Sequence, residues 1–127
     1  MKKIFLLIFF NFFLCFSANA DWTKITSINN GDTIFYVNID SIKKRNNSLY
    51  VWVLQDYKAS PHEDINSGLI QHQLDCDLMR GKSLTYIFYD GQMGSGNVSS
   101  THTDEKIEWK YFPPNTAMNT VMKVLCS

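Results

Sequence analysis

An α+β fold, an antiparallel sheet with one helix packed on it at the C-terminal end, is predicted by three features of this 127-residue chain. Apolar residues alternate with a period of two through most of residues 22–89, which is the signature of strands. The period becomes that of a helix only after Pro113-Pro114. Two cysteines, Cys76 and Cys126, stand where they can fasten that helix to the sheet.

Within the alternating stretch, residues 33–39 place Phe35, Val37 and Ile39 on one face and Ile34, Tyr36 and Asn38 on the other, after a turn at Gly31-Asp32. Residues 49–57 are apolar on both faces, Leu49, Val51 and Val53 alternating with Tyr50, Trp52 and Leu54, so this strand is expected at the centre with Trp52 covered by another element. The connection between the two strands is longer than the tightest hairpin, and its Lys43-Lys44-Arg45 cluster, followed by Asn46-Asn47-Ser48, reads as a solvated hairpin tip. A heparin-like or matrix contact is the minor reading of that cluster. Residues 58–68, with Pro61 and Gly68, form a surface loop. The next strand begins near Leu69 and directs Ile70, His72, Leu74 and Cys76 to one side. Residues 83–89 continue the alternation, residues 97–100 resume it, and residues 107–111 supply a last strand.

Asn115-Thr116 is a good cap, and Met118, Val121, Met122 and Leu125 follow at i, i+3, i+4 and i+7. Such a helix has only about ten residues, below the ~12 needed for even marginal stability alone in water, so it requires a tether. A Cys76–Cys126 bond would close a loop of about 50 residues, which the chain-entropy model values at roughly 4 kcal/mol.

The other end of the chain sets the compartment. Lys2 and Lys3, an apolar run over residues 4–16 and the small residues of Ala18-Asn19-Ala20 make residues 1–20 a signal peptide cleaved between Ala20 and Asp21, leaving residues 21–127 as one domain. A run of thirteen residues falls short of the ~20 that cross a bilayer. Lipidation at Cys15 is the alternative, although Leu14 stands where that route usually takes a small residue. Cleavage after Ala20 removes Cys15, and the remaining pair in an oxidising compartment is most simply one disulfide. The full chain carries 12 Lys+Arg and 12 Asp+Glu. Without Lys2 and Lys3 the balance is 10 against 12, a net charge of −2, which is no nucleic-acid footprint.

Catalytic and metal-binding constellations are not expected. His62, His72 and His102 lie in no metal-ligand spacing, and His72, on the face of Leu74 and Cys76, reads as a structural residue. Asp75 and Asp77 flank Cys76 at a strand spacing of about 7 Å, as paired glycosidase carboxylates can, but nothing nearby raises the pKa of one of them. The 91–96 segment, Gly91-Gln92-Met93-Gly94-Ser95-Gly96, follows a strand without opening a helix and lacks a Lys-Ser/Thr pair, so a wide turn accounts for it better than a phosphate loop. Asn46-Asn47-Ser48 and Asn97-Val98-Ser99 match the glycosylation pattern, which matters only in a host with that machinery.

The order of several short pieces resembles the bacterial surface-adhesin protein E family. They are Asp21-Trp22, Phe35-Tyr36-Val37, Asp40-Ser41-Ile42-Lys43-Lys44, Tyr50-Val51-Trp52-Val53-Leu54 with Asp56-Tyr57, and Asp75-Cys76. Further along come Phe88-Tyr89, Met93-Gly94-Ser95-Gly96, Trp109 with Tyr111, Pro113-Pro114 and Cys126. The resemblance implies a sheet of about six strands, a C-terminal helix fastened by a Cys76–Cys126 disulfide, and a Gram-negative envelope protein. Some relatives bind host matrix and serum proteins such as vitronectin, laminin and plasminogen, and no binding residue is carried over to this chain. The expectation is therefore an exported, non-enzymatic protein-binding module of the periplasm or outer-membrane surface, without cofactor, metal or nucleic-acid partner. The alternative is a periplasmic accessory or structural envelope protein without adhesin activity.

Overall fold

The computed structural model describes residues 21–127, so residues 1–20, with the signal peptide, its Ala20 cleavage side and Cys15, lie outside the described residues. Among the described residues, eight strands and one α-helix make up the fold: β1 (Thr23–Ile28), β2 (Thr33–Val37), β3 (Lys43–Arg45), β4 (Ser48–Tyr57), β5 (Ser67–Asp75), β6 (Arg80–Tyr89), β7 (Val98–His102), β8 (Lys110–Tyr111) and α1 (Ala117–Cys126). All pairings are antiparallel. The strand order is β1-β2-β4-β5-β6-β7, with β3 on β4 and β8 on β6.

Eight strands replace the expected six because two ranks of the sheet are interrupted. β2 and β3 pair with opposite halves of the same edge of β4, separated by a 3-10 turn at Ile39–Ser41, so Ile39 leaves the strand that its alternation predicts. β7 and β8 share the outer edge of β6 in the same manner. The Lys43-Lys44-Arg45 cluster is accordingly a strand rather than a hairpin tip. The tip is Asn46-Asn47, both residues at positive φ, as a two-residue hairpin turn of the mirror-image type demands and asparagine tolerates. β5 and β6 also begin earlier than expected, at Ser67 and Arg80, and of residues 107–111 only the last two pair.

Register fixes two faces. On the first, Phe35, Val37, Val51, Val53 and Leu74 form the core with Val121 and Met122 of α1. Met118 and Leu125 pack against it, so the predicted stripe is the buried one. Thr116 caps α1, its Oγ1 accepting the Asn119 N–H at 3.3 Å. Asn119 is buried as well, donating from its side chain to the Phe112 carbonyl at 3.0 Å. Phe112 reaches the sheet because Gly81 has no side chain: a Cβ there would stand 2.8 Å from the Phe112 ring. The Cys76–Cys126 disulfide closes the end of the helix onto β5, Cα to Cα 5.5 Å.

The second face carries Tyr50, Trp52, Leu54 and Asp56 of β4, opposite Gln73, Gln71, Leu69 and Ser67 of β5. Trp52 thus points away from α1 and is half-buried, not lidded by the helix. One end of this face is closed by the turn between β6 and β7, which leaves Leu54 and Asp56 without exposed surface.

Candidate functional site

The residues with chemical potential fall into separate places. His72 lies on the helix-covered face between Val51 and Ser83. Its Nδ1 is 3.4 Å from Ser83 Oγ, and its Nε2 is buried without a partner. Burial lowers its pKa from 6.5 to about 4, so the imidazole is neutral at ordinary pH. A serine beside a histidine invites a nucleophilic reading, but no carboxylate orients this ring, and its free nitrogen is sealed from solvent. It is a core residue, as its strand position predicts.

Asp75 and Asp77 do not form a pair of working carboxylates. Asp75 ends β5 with Oδ1 accepting the N–H groups of Asp77 and Leu78, at 3.1 and 3.3 Å, and Oδ2 meeting Arg80 Nε at 3.0 Å. Burial works against its ionisation, yet the Arg80 bond and the two N–H donors outweigh it and hold the carboxyl below its ordinary value. Asp77 turns to the other side of the chain, where it borders a cavity of about 230 Å³ beside the disulfide, with Lys44, Asn47, Leu49 and Leu125. His62 and His102 are exposed, His102 with Asp104 at 2.9 Å. Among the described residues no group of three or more His, Cys, Asp or Glu side chains is placed to hold a metal ion.

The glycine-rich segment is a turn, and its use cannot be read from its composition. It folds back over the second sheet face with Met93 at φ 57° and Gly94 and Gly96 at φ 69° and 79°. Asp56 Oδ1 accepts the Met93 N–H at 2.8 Å. Ser67 Oγ accepts the Gly94 N–H at 2.9 Å and donates to the Gly91 carbonyl at 2.6 Å. Lys58 Nζ stands 3.3 Å from Asp56 Oδ2 as a charge contact, without the angle of a hydrogen bond. Backbone amides that a phosphate loop would aim at a ligand are here spent on the protein's own Asp56 and Ser67. Sequence reasoning misses both anchors, since an acid and a serine at strand ends look like solvated residues.

What remains accessible is surface. β7 is exposed at all five positions and forms one margin of the sheet, with β1 at the other. Along the β7 side, Val98, Ile107 and Tyr111 are exposed at 55, 40 and 66%. The second face between the turn and β8 presents Tyr50, Trp52, Gln71 and Gln73. Among the described residues, no helix is long and apolar enough to cross a membrane.

Residues 22–127 match the family model for surface-adhesin protein E. Curated protein sequences give no significant match. Among solved structures, crystal form II of Haemophilus influenzae protein E superposes with a TM-score of 0.61 at 16% identity, covering 87% of this chain and 94% of that one. Protein E from non-typeable Haemophilus influenzae gives a TM-score of 0.59 at 16% identity over 89% and 81% of the two chains. The fold is therefore shared with protein E, and with the match running from Trp22 to Ser127, the chain belongs to the surface-adhesin protein E family.

Proposed function

We propose that the chain is an exported, non-enzymatic protein-binding module, cleaved between Ala20 and Asp21 and acting at the envelope of a Gram-negative bacterium. The family match over residues 22–127 carries this reading. The β7 margin supports it: a five-residue strand with an open outer edge and exposed Val98, Ile107 and Tyr111 offers backbone hydrogen bonds and apolar contact to an extended partner segment. Host matrix or serum proteins such as vitronectin, laminin and plasminogen are the partners this family suggests. Immobilised samples of these proteins should retain the purified chain, and V98D/Y111S should weaken retention without loss of fold. No retention by any of them counts against adhesin activity.

Leu14 before Cys15 favours a second reading, in which cleavage after Ala20 releases an unlipidated accessory protein into the periplasm. Protease shaving of intact cells expressing the precursor separates the two. Loss of the domain from intact cells supports surface display, and protection until the outer membrane is opened supports the periplasmic role.

A further inference from the structure

We propose that the sheet face opposite α1 binds an acidic polysaccharide, a sugar chain bearing carboxylate or sulfate groups. This goes beyond the protein-binding reading and does not depend on it. Register places Lys43 beside Tyr50, Gln73 and Lys82 in one cross-strand row, and Arg45 beside Ser48, Asp75 and Arg80 in the next. A third row holds Trp52, Gln71 and Thr85. Side chains directly opposite in an antiparallel sheet point to the same side, so four cations share this open area with a single carboxylate. That carboxylate, Asp75, is already bonded to Arg80. A chain whose residues 21–127 total −2 thus concentrates positive charge on one face.

The cations are interleaved with rings and amides. Arg45 lies over Tyr50 at 5.9 Å, and Arg80 and Lys82 each lie 4.4 Å from the Trp109 ring centroid. Tyr50 and Gln73 occupy the middle, Trp52 and Gln71 extend the patch towards the glycine-rich turn, and Gln73 donates to Ser48 at 3.1 Å. At ~3.4 Å per residue and ~4.8 Å between strands, the three rows span about 14 Å each way, a flat patch rather than a pocket. Flatness, aromatic faces, amide groups that both donate and accept, and cations at the margins suit sugar rings, their hydroxyls and their acidic substituents respectively. A flat face offers an extended acidic peptide none of the main-chain hydrogen bonds that a sheet edge would, and a nucleic acid would require a longer cationic track on a basic domain.

The test uses protein purified from cells expressing the full precursor, with heparin as the acidic probe and neutral dextran as the control. Retention on heparin at physiological salt, none on dextran, and at least a tenfold loss in K43Q/K82Q is expected. Log affinity should fall linearly with log salt, and the double variant should lower the slope by about two. K110Q/K123Q makes the same change in net charge on the other side, Lys110 standing opposite Gly81 on the helix-covered face and Lys123 on α1, and should bind as the parent does. T85R adds a cation within the third row and should strengthen binding. Failure of the parent to bind heparin overturns the proposal, as does equal weakening by the two double variants, which would mean diffuse attraction without a site.

Discussion

The helix over one face of the sheet and the glycine-rich turn over the other are both lids, and they are held by different physics. Under α1 the contact is apolar: Val121 and Met122 are completely buried against Val51, Val53 and Leu74, and a covalent bond at Cys126 keeps a helix too short to persist alone in place. Under the turn the contact is polar. Asp56 and Ser67, also completely buried, bind backbone groups of Gly91, Met93 and Gly94, and Leu54 lies beneath Gly94. A covalent tether acts largely by restricting the unfolded chain, whereas a buried carboxylate acts through the donors that meet it in the folded state. The first lid should tolerate imperfect packing and depend on oxidation; the second should tolerate reduction and depend on geometry.

Breaking the tether is the largest test of that contrast. C76S/C126S should lose about 4 kcal/mol in chemical denaturation, and α1 amides should exchange rapidly while the Met93 and Gly94 amides stay protected. Simultaneous loss of protection in both lids would make them one cooperative unit.

Acid should also act on the helix side. His72 holds a depressed pKa of about 4 in the folded state against 6.5 unfolded, so its contribution is complete above pH 6.5 and is lost as pH falls from 6.5 towards 4, where the unfolded chain takes up the proton first. The span corresponds to roughly 3 kcal/mol. Midpoints measured at pH 7 and pH 4.5 should converge in H72L, and an undiminished pH effect in that variant would assign the titration to other groups. Asp75 acts in the opposite ionic sense, its depressed pKa withdrawing stability only at lower pH still.

On the turn side, D56A removes a buried charged acceptor and should cost about 2 kcal/mol. A double-mutant cycle with S67A should show coupling between the two anchors. Full additivity would mean that they hold the turn independently. Smallest is T116A, which removes the α1 cap for about 1 kcal/mol and should add fully to D56A, because the two changes lie on different faces.

Much of the helix side is legible in the amino-acid order. The stripe of Met118, Val121, Met122 and Leu125, the Thr116 cap, the inward set of Ile70, His72 and Leu74, and the partnership of Cys76 with Cys126 all follow from local periods and cysteine arithmetic. Placement of Trp52 does not, because β4 is apolar on both sides and the pattern cannot say which side α1 takes. β3 is too short for a period to register, the strand expected over residues 107–111 shortens to the two residues of β8, and both stand where β4 and β6 present edges to them. The turn side is nearly illegible. Asp56 bonds a residue 37 positions away, and no local pattern links a strand-end acid to a backbone N–H in a later loop.

Local order along the chain specifies the alternation that makes two sheet faces, the period change that makes one helix, and the family to which the succession of short pieces belongs. Folding in three dimensions settles the rest: which face the helix covers, what the glycine-rich turn is fastened to, and that Lys43, Arg45, Arg80 and Lys82 gather on the remaining open area. The physical reason is one of range. Propensity and period act over a few neighbouring residues, whereas register, burial and charge clustering arise from pairing between strands far apart in the chain.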